Sequence, residues 1–185
     1  MAKIAVVGSF VMDFIFETER RPVKGESVVG RSFGMAPGGK GANQAMQAAL
    51  LGADVSIAGR LGDDVFGTQI LESLAGAGVD TRRVKRDPSG TACSGIVLDA
   101  EGDNSIVMVP RANMECRPGD VDDAAALIEE ADTVMVQLEI PMEVNERAVK
   151  MARDLGKLVI MDPAPARDLD DFYFEAAGIM TPNET

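Results

Sequence analysis

The chain has 185 residues, enough for one domain with a core of its own. Its 30 acidic and 18 basic side chains leave a net charge of −12, which repels nucleic-acid phosphates and argues against nucleic acid as a partner. Histidine is absent, which excludes histidine-based general-base or metal chemistry, and Cys93 and Cys116 fit no metal spacing and no disulfide framework, so both read as packing residues.

Ile4-Ala5-Val6-Val7 reads as a short buried strand. It is too short to cross a membrane or to form the core of a signal peptide, and the chain has no long apolar run. A cytoplasmic chain without a membrane partner is expected. Phe14-Ile15-Phe16 and Ser27–Phe33 read as two strands joined by a turn around Pro22 to Gly25. A helix is predicted from about Gly41 to Leu51, with Ala42, Ala45, Met46, Ala49 and Leu50 on one face and Gly52 at its end. Val55–Ile57 is the next strand. Asp63 or Asp64 caps a helix carrying Val65, Phe66, Ile70, Leu71 and Leu74. Arg82-Arg83-Val84-Lys85-Arg86 reads as a solvated edge strand guarded by charge.

Ala92–Leu98 and Ser105–Pro110 form a predicted hairpin through residues 99–103. Beyond Pro118 the pattern alternates regularly. A helix capped by Asp120 runs to about Glu130 and a strand spans Val134–Leu138. A helix from Glu143 to Leu155, a strand at Leu158–Met161, a short helix from Asp168 to Ala176 and a strand at Ile179–Thr181 follow. Alternation at this spacing implies α/β architecture: a parallel sheet flanked by helices. The early and middle hairpins stand outside that pattern and suggest a separate small β flap.

The segment Gly38-Gly39-Lys40-Gly41-Ala42-Asn43-Gln44-Ala45 carries the strongest chemical signal. Glycine backbone can approach a ligand closely, a helix N-terminus offers unpaired N–H groups, and Lys40 adds a mobile ammonium. The competing reading is a glycine-rich turn that only starts a packed helix. A phosphate-binding Walker loop is excluded, because Gly41 stands where a hydroxyl must bind magnesium. Gly8-Ser9-Phe10 also breaks any dinucleotide-binding glycine pattern. In a parallel sheet, ligands sit beyond the carboxyl ends of the strands. Asp13, Glu139, Asp162 and Asn183 all fall there by sequence. Asp13 lies in an apolar run and needs a partner or a ligand. Glu139 reads either as a ligand contact or as a residue approaching the next helix. Asp162, ahead of Pro163, reads as a turn starter. Carboxylates that accept from hydroxyls, with an amide that donates and accepts, make Asp13, Lys40, Asn43 and Glu139 look like a sugar site.

These residues resemble the ribokinase branch of the PfkB carbohydrate kinase family over the whole chain. The likeness is carried by residues 7–9 leading to Asp13, residues 22–26, 38–45, 59–64 and 66–67, and the later runs 137–141, 162–167 and 181–185. The resemblance implies residues 1–185 as the N-terminal part of a single ribokinase-like domain. Lid strands would lie within roughly 10–36 and 91–111. It implies an ATP-dependent kinase acting on the 5-hydroxyl of ribose. Asp13, Gly39, Lys40, Gly41, Ala42, Asn43 and Glu139 would hold the sugar, and Asn183 would face the nucleotide. Magnesium and a monovalent cation are implied for the complete enzyme, as is a homodimer through the lid strands. Val11 replaces an asparagine frequent in ribokinases, which leaves another sugar or a nucleoside open as substrate, and a non-catalytic sugar-binding module is a further alternative. The resemblance places the catalytic base in a later Gly-Ala-Gly-Asp segment absent from residues 1–185. No catalytic residue is therefore expected in this chain. Alone it should be inactive, truncated, and exposed along the strand edge at Ile179–Thr181.

Overall fold

The structure, a computed structural model, describes residues 1–183; Glu184 and Thr185, the end of the run that begins at Thr181, lie outside the described residues. In chain order the elements are β1 (Lys3–Val7), β2 (Val11–Thr18), β3 (Gly30–Gly38), α1 (Lys40–Leu50), β4 (Asp54–Gly62), α2 (Val65–Gly76), β5 (Asp80–Asp87), β6 (Ala92–Leu98) and β7 (Asn104–Val109). A 3-10 turn at Arg111–Glu115 leads to α3 (Pro118–Asp123), α4 (Ala125–Glu130), β8 (Thr133–Gln137), α5 (Met142–Asp154), β9 (Leu158–Asp162), α6 (Asp171–Ala176) and β10 (Ile179–Met180).

The fold is α/β. A parallel six-stranded sheet runs in the order β10-β9-β8-β1-β4-β5. Successive side chains of a strand point to opposite faces, so each strand feeds two cores. Ala5 and Val7 join Val134, Val136, Val159 and Met161 against the side of α3 to α6. Val6, Val55 and Ile57 pack on the other side with Ala42 and Ala45 of α1 and Ile70 and Leu74 of α2. Burial on both faces explains why these strands read as short apolar runs.

A second sheet has the order β3-β2-β6-β7, with β2 parallel to β6 and the two outer pairs antiparallel. It is held to the main sheet in two ways. Phe14 meets Phe66 of α2 edge-on, with ring centroids 5.3 Å apart. Asp64 caps α2 through the Gly67 amide at 2.9 Å and also accepts from the amide and hydroxyl of Thr91, just ahead of β6.

Several expected boundaries move. The strand expected at Ser27–Phe33 begins at Gly30 and runs to Gly38, so the glycine-rich segment is the end of a strand as well as the start of a helix. The strand around Phe14 extends from Val11 to Thr18 because it has partners on both sides. The residue ahead of α3 is Arg117, and Asp120 caps the helix from inside its first turn: buried there, its carboxylate accepts from the Arg117 amide. The helix expected to Glu130 is two short helices broken at Ala124. The basic stretch 82–86 does form an edge strand, β5, yet it is paired inward: Lys85 bonds Asp120 and Asp123, and Arg86 lies 3.4 Å from Asp63. Cys116 is buried, and burial pushes its thiol up to about 12, in keeping with a packing role. Among the described residues no helix is long and apolar enough to cross a membrane.

Candidate sugar site

The segment after β1 meets the start of α1 at the carboxyl end of the main sheet. Gly39 precedes the helix with φ at 94°, a left-handed conformation that favours glycine, and any side chain there would strike Phe10 and Val11 backbone. Gly41 packs directly on the backbone of Gly8 and Ser9, and the amide of Ala42 donates to the Ser9 carbonyl at 2.9 Å. Two bare glycines thus let the first turn of α1 lie flush on the loop between β1 and β2.

Glu139, just past β8, closes this turn. Its Oε2 accepts from the Lys40 amide at 2.9 Å and from the Ser9 hydroxyl at 2.5 Å, while Ser9 Oγ accepts from the Gly41 amide at 3.2 Å. A carboxylate at a helix N-terminus satisfies amides that have no partner within the helix and complements the helix dipole. Glu139 is therefore a structural acceptor for α1, whose Lys40 stands 99 positions earlier in the chain, rather than for the helix that follows it. Asp13 lies on β2 opposite Ala36 and Ser94, and its carboxylate accepts from the Ser94 hydroxyl. A side chain at Gly38 would collide with it, so Asp13 overhangs the same glycine segment.

The structure thus brings Asp13, residues 38–42 and Glu139 together. Asn43 sits one turn into α1 with an exposed side chain that bonds nothing among the described residues. Lys40 directs its ammonium to Asp162 Oδ2 at 3.0 Å. The expectation for Asp162 is corrected here: its carboxylate pairs with a lysine 122 positions away, not with a local turn. Asn183 is exposed just beyond β10.

Sequence reasoning missed three supports. Ser9 links Glu139 to α1; its place directly after the first strand was an available signal. Asn113, buried in the 3-10 turn, accepts from the Phe10 amide at 3.0 Å and donates to the Phe10 carbonyl at 2.9 Å, pairing like a strand with the loop under the cradle. Gln137 donates to Gln44 at 2.7 Å and so ties α1 to β8. These amides carry no local sequence signal, because their partners are distant in the chain.

No group of three or more acidic or cysteine side chains converges to hold a metal ion among the described residues. A cavity of about 410 Å³ opens elsewhere, at the amino ends of β1, β4 and β5, lined by Lys3, Asp54, Asp80, Arg82, Arg83 and Glu130. Its mixed charges are already paired in part, as in Arg82 with Asp80, and it is remote from the carboxyl-end cradle.

A parallel sheet flanked by helices, with a second sheet and a glycine cradle at its carboxyl end, is an architecture this chain shares with solved carbohydrate kinases. The family model described as "pfkB family carbohydrate kinase" matches residues 1–185, and the chain belongs to that family. It is 46% identical over 187 residues to a ribokinase of Bacillus subtilis, covering 100% of this chain and 63% of that one. A deoxyribokinase of Salmonella typhi is 35% identical, with 98% of this chain and 60% of that one covered. The structure of Arabidopsis thaliana ribokinase complexed with ribose and ATP superposes with a TM-score of 0.86 at 34% identity, covering 100% of this chain and 61% of the other. The chain therefore spans less than two thirds of the length of these relatives.

Proposed function

We propose that this chain supplies the sugar-binding part of an ATP-dependent kinase that phosphorylates the 5-hydroxyl of ribose. The observation that carries this reading is the cradle itself. Asp13 overhangs Gly38 and Glu139 accepts from the Lys40 amide, so two carboxylates flank the glycine segment, whose amides at Lys40, Gly41 and Ala42 are bonded to Glu139 and Ser9. Carboxylates accept from vicinal hydroxyls, and the Asn43 amide can donate and accept across the ring. Fixing the sugar between rigid elements orients its hydroxyl for in-line attack.

The second sheet acts as a lid in this reading. Its strands β2 and β6 carry Asp13 and Ser94 side by side, so closing over the sugar also orients the aspartate. Asn183, exposed beyond β10, is the described residue suited to contact nucleotide phosphates. Magnesium, where bound, supplies charge for the transferring phosphate. Among the described residues no three acidic or cysteine side chains converge to hold it.

We further propose that a second copy of the chain covers the outer strand of the lid. The edge strand β7 is exposed along its whole length, including Ile106, Val107, Met108 and Val109. An unpaired apolar edge calls for a cover.

A second reading, a kinase for another sugar, is favoured by Val11 and by the likeness to a deoxyribokinase. The test is ATP-dependent phosphorylation by the protein at its full natural length, with ribose, 2-deoxyribose and nucleosides compared by kcat/KM. Ribose preferred by tenfold or more supports the first reading. Preference for another acceptor establishes the second. Saturable sugar binding without turnover of any acceptor would replace both with a non-catalytic sugar-binding module.

A further inference from the structure

We propose that Asp162 is a positioning residue of the cradle, holding the Lys40 ammonium and cancelling its charge so that the site takes an uncharged sugar and disfavours a phosphorylated one. This rests on the sugar-kinase reading above. Lys40 opens α1, and the ends of two neighbouring strands converge on it. Its amide donates to Glu139 beyond β8, and its Nζ donates to Asp162 Oδ2 at the end of β9, at 3.0 Å. Both side chains of the ion pair are largely covered, Lys40 at 30% and Asp162 at 18% exposure. Partial cover weakens solvent screening and strengthens the pairing.

The remaining oxygen of Asp162 shows why the charge matters. Oδ1 is buried and has no hydrogen-bond partner. A turn aspartate would bond nearby backbone amides, and Asp162 makes no such bond among the described residues. Leaving a buried carboxylate oxygen unpartnered is unfavourable. Asparagine would keep the same shape and still accept from Lys40. What only aspartate contributes is the negative charge opposite the ammonium.

The consequence concerns ligand choice. Asp13, Glu139 and Asp162 set three carboxylates against the one ammonium of Lys40 around this segment. A neutral polyol meets acceptors it can bond, whereas a sugar phosphate meets net negative charge and a lysine already engaged. The phosphorylated product would be repelled for the same reason.

The experiment uses the protein at its full natural length, as wild type, Asp162→Asn, Lys40→Met and the double variant. Calorimetry gives the affinities for ribose and for ribose 5-phosphate. Asp162→Asn is expected to raise the ratio of ribose 5-phosphate to ribose affinity about tenfold. That gain should vanish in the Lys40→Met background. An unchanged ratio, or a gain that survives without Lys40, overturns the proposal. A sugar-free readout accompanies it: the side-chain order of isotopically labelled Lys40, measured by NMR relaxation, should fall in Asp162→Asn. Unchanged order also overturns the proposal. Falling order in a protein that binds neither sugar supports the hold of Asp162 on Lys40 and overturns the sugar-kinase reading instead.

Discussion

Asn113 shows how one side chain can hold a site it never touches. It satisfies both backbone groups of Phe10, which is fully buried. Asn113→Ala would leave an amide and a carbonyl buried without partners, at about 1–3 kcal/mol each. Chemical denaturation should show a loss of about 3 kcal/mol in stability. Asp120 makes a second residue-scale prediction. Burial alone would raise its pKa, but side-chain hydrogen bonds from Arg60 and Lys85 and the Arg117 amide bring it down from 3.8 to about 2. A depressed carboxylate contributes stability that is complete above its unfolded value and is lost as pH falls through the folded one. Stability should therefore drop between about pH 4 and pH 2, with roughly 2 kcal/mol from this group. Asp120→Asn should be the weaker protein at pH 7, and its deficit should shrink across that window in acid titrations. At this scale Asp13 and Glu139 were legible because carboxylates beside apolar strands demand a partner. Asp162 was misread because its partner lies on another element, and nothing in Asp-Pro points to a lysine so far away.

The first turn of α1 is the element on which the site depends. Its glycines are fixed by contact with the Phe10, Val11 and Ser9 backbone rather than by helix propensity. Gly41→Ala would push a methyl into the Ser9 backbone and lift the turn from Glu139. Destabilisation of about 2–3 kcal/mol is expected, as for overpacked cores, with measurable loss of sugar affinity. The helix itself was readable from its apolar face and from Gly52 after its end, which has φ at 90°. The extent of β3 was not readable. Its residues from Gly30 to Met35 are exposed and follow no buried alternation, and only pairing with β2 makes them a strand. The split between α3 and α4 was hidden in the same way. Asp120 also joins the Arg60 and Lys85 network, a tertiary demand added to its bond to the Arg117 amide.

The whole molecule is two sheets with open edges. Among the described residues β10 and β5 are the edge strands of the main sheet, with Ile179 of β10 exposed, and β3 and β7 are those of the second. Unpaired edges invite pairing with another chain. A protein of residues 1–185 alone is expected to self-associate, with light scattering giving a mass above 19.6 kDa. A stable monomer would remove the support for a lid-to-lid dimer. The α/β layering was evident from alternating short apolar runs and helical patterns, since strands buried on both faces leave little choice of architecture. The second sheet was only half visible, because partners in β2 and β6, such as Asp13 and Ser94, stand 81 positions apart, a pairing no local pattern records.

The central claim is that the cradle between Asp13, the start of α1 and Glu139 binds an uncharged sugar. The most direct measurement is calorimetric titration of the protein at its full natural length with ribose, beside Asp13→Asn. The account predicts saturable binding weakened tenfold or more by the substitution, about 1.4 kcal/mol, the loss of a charged acceptor from the sugar hydroxyls. Binding indifferent to Asp13, or no binding of any small sugar by a folded wild type, would contradict it.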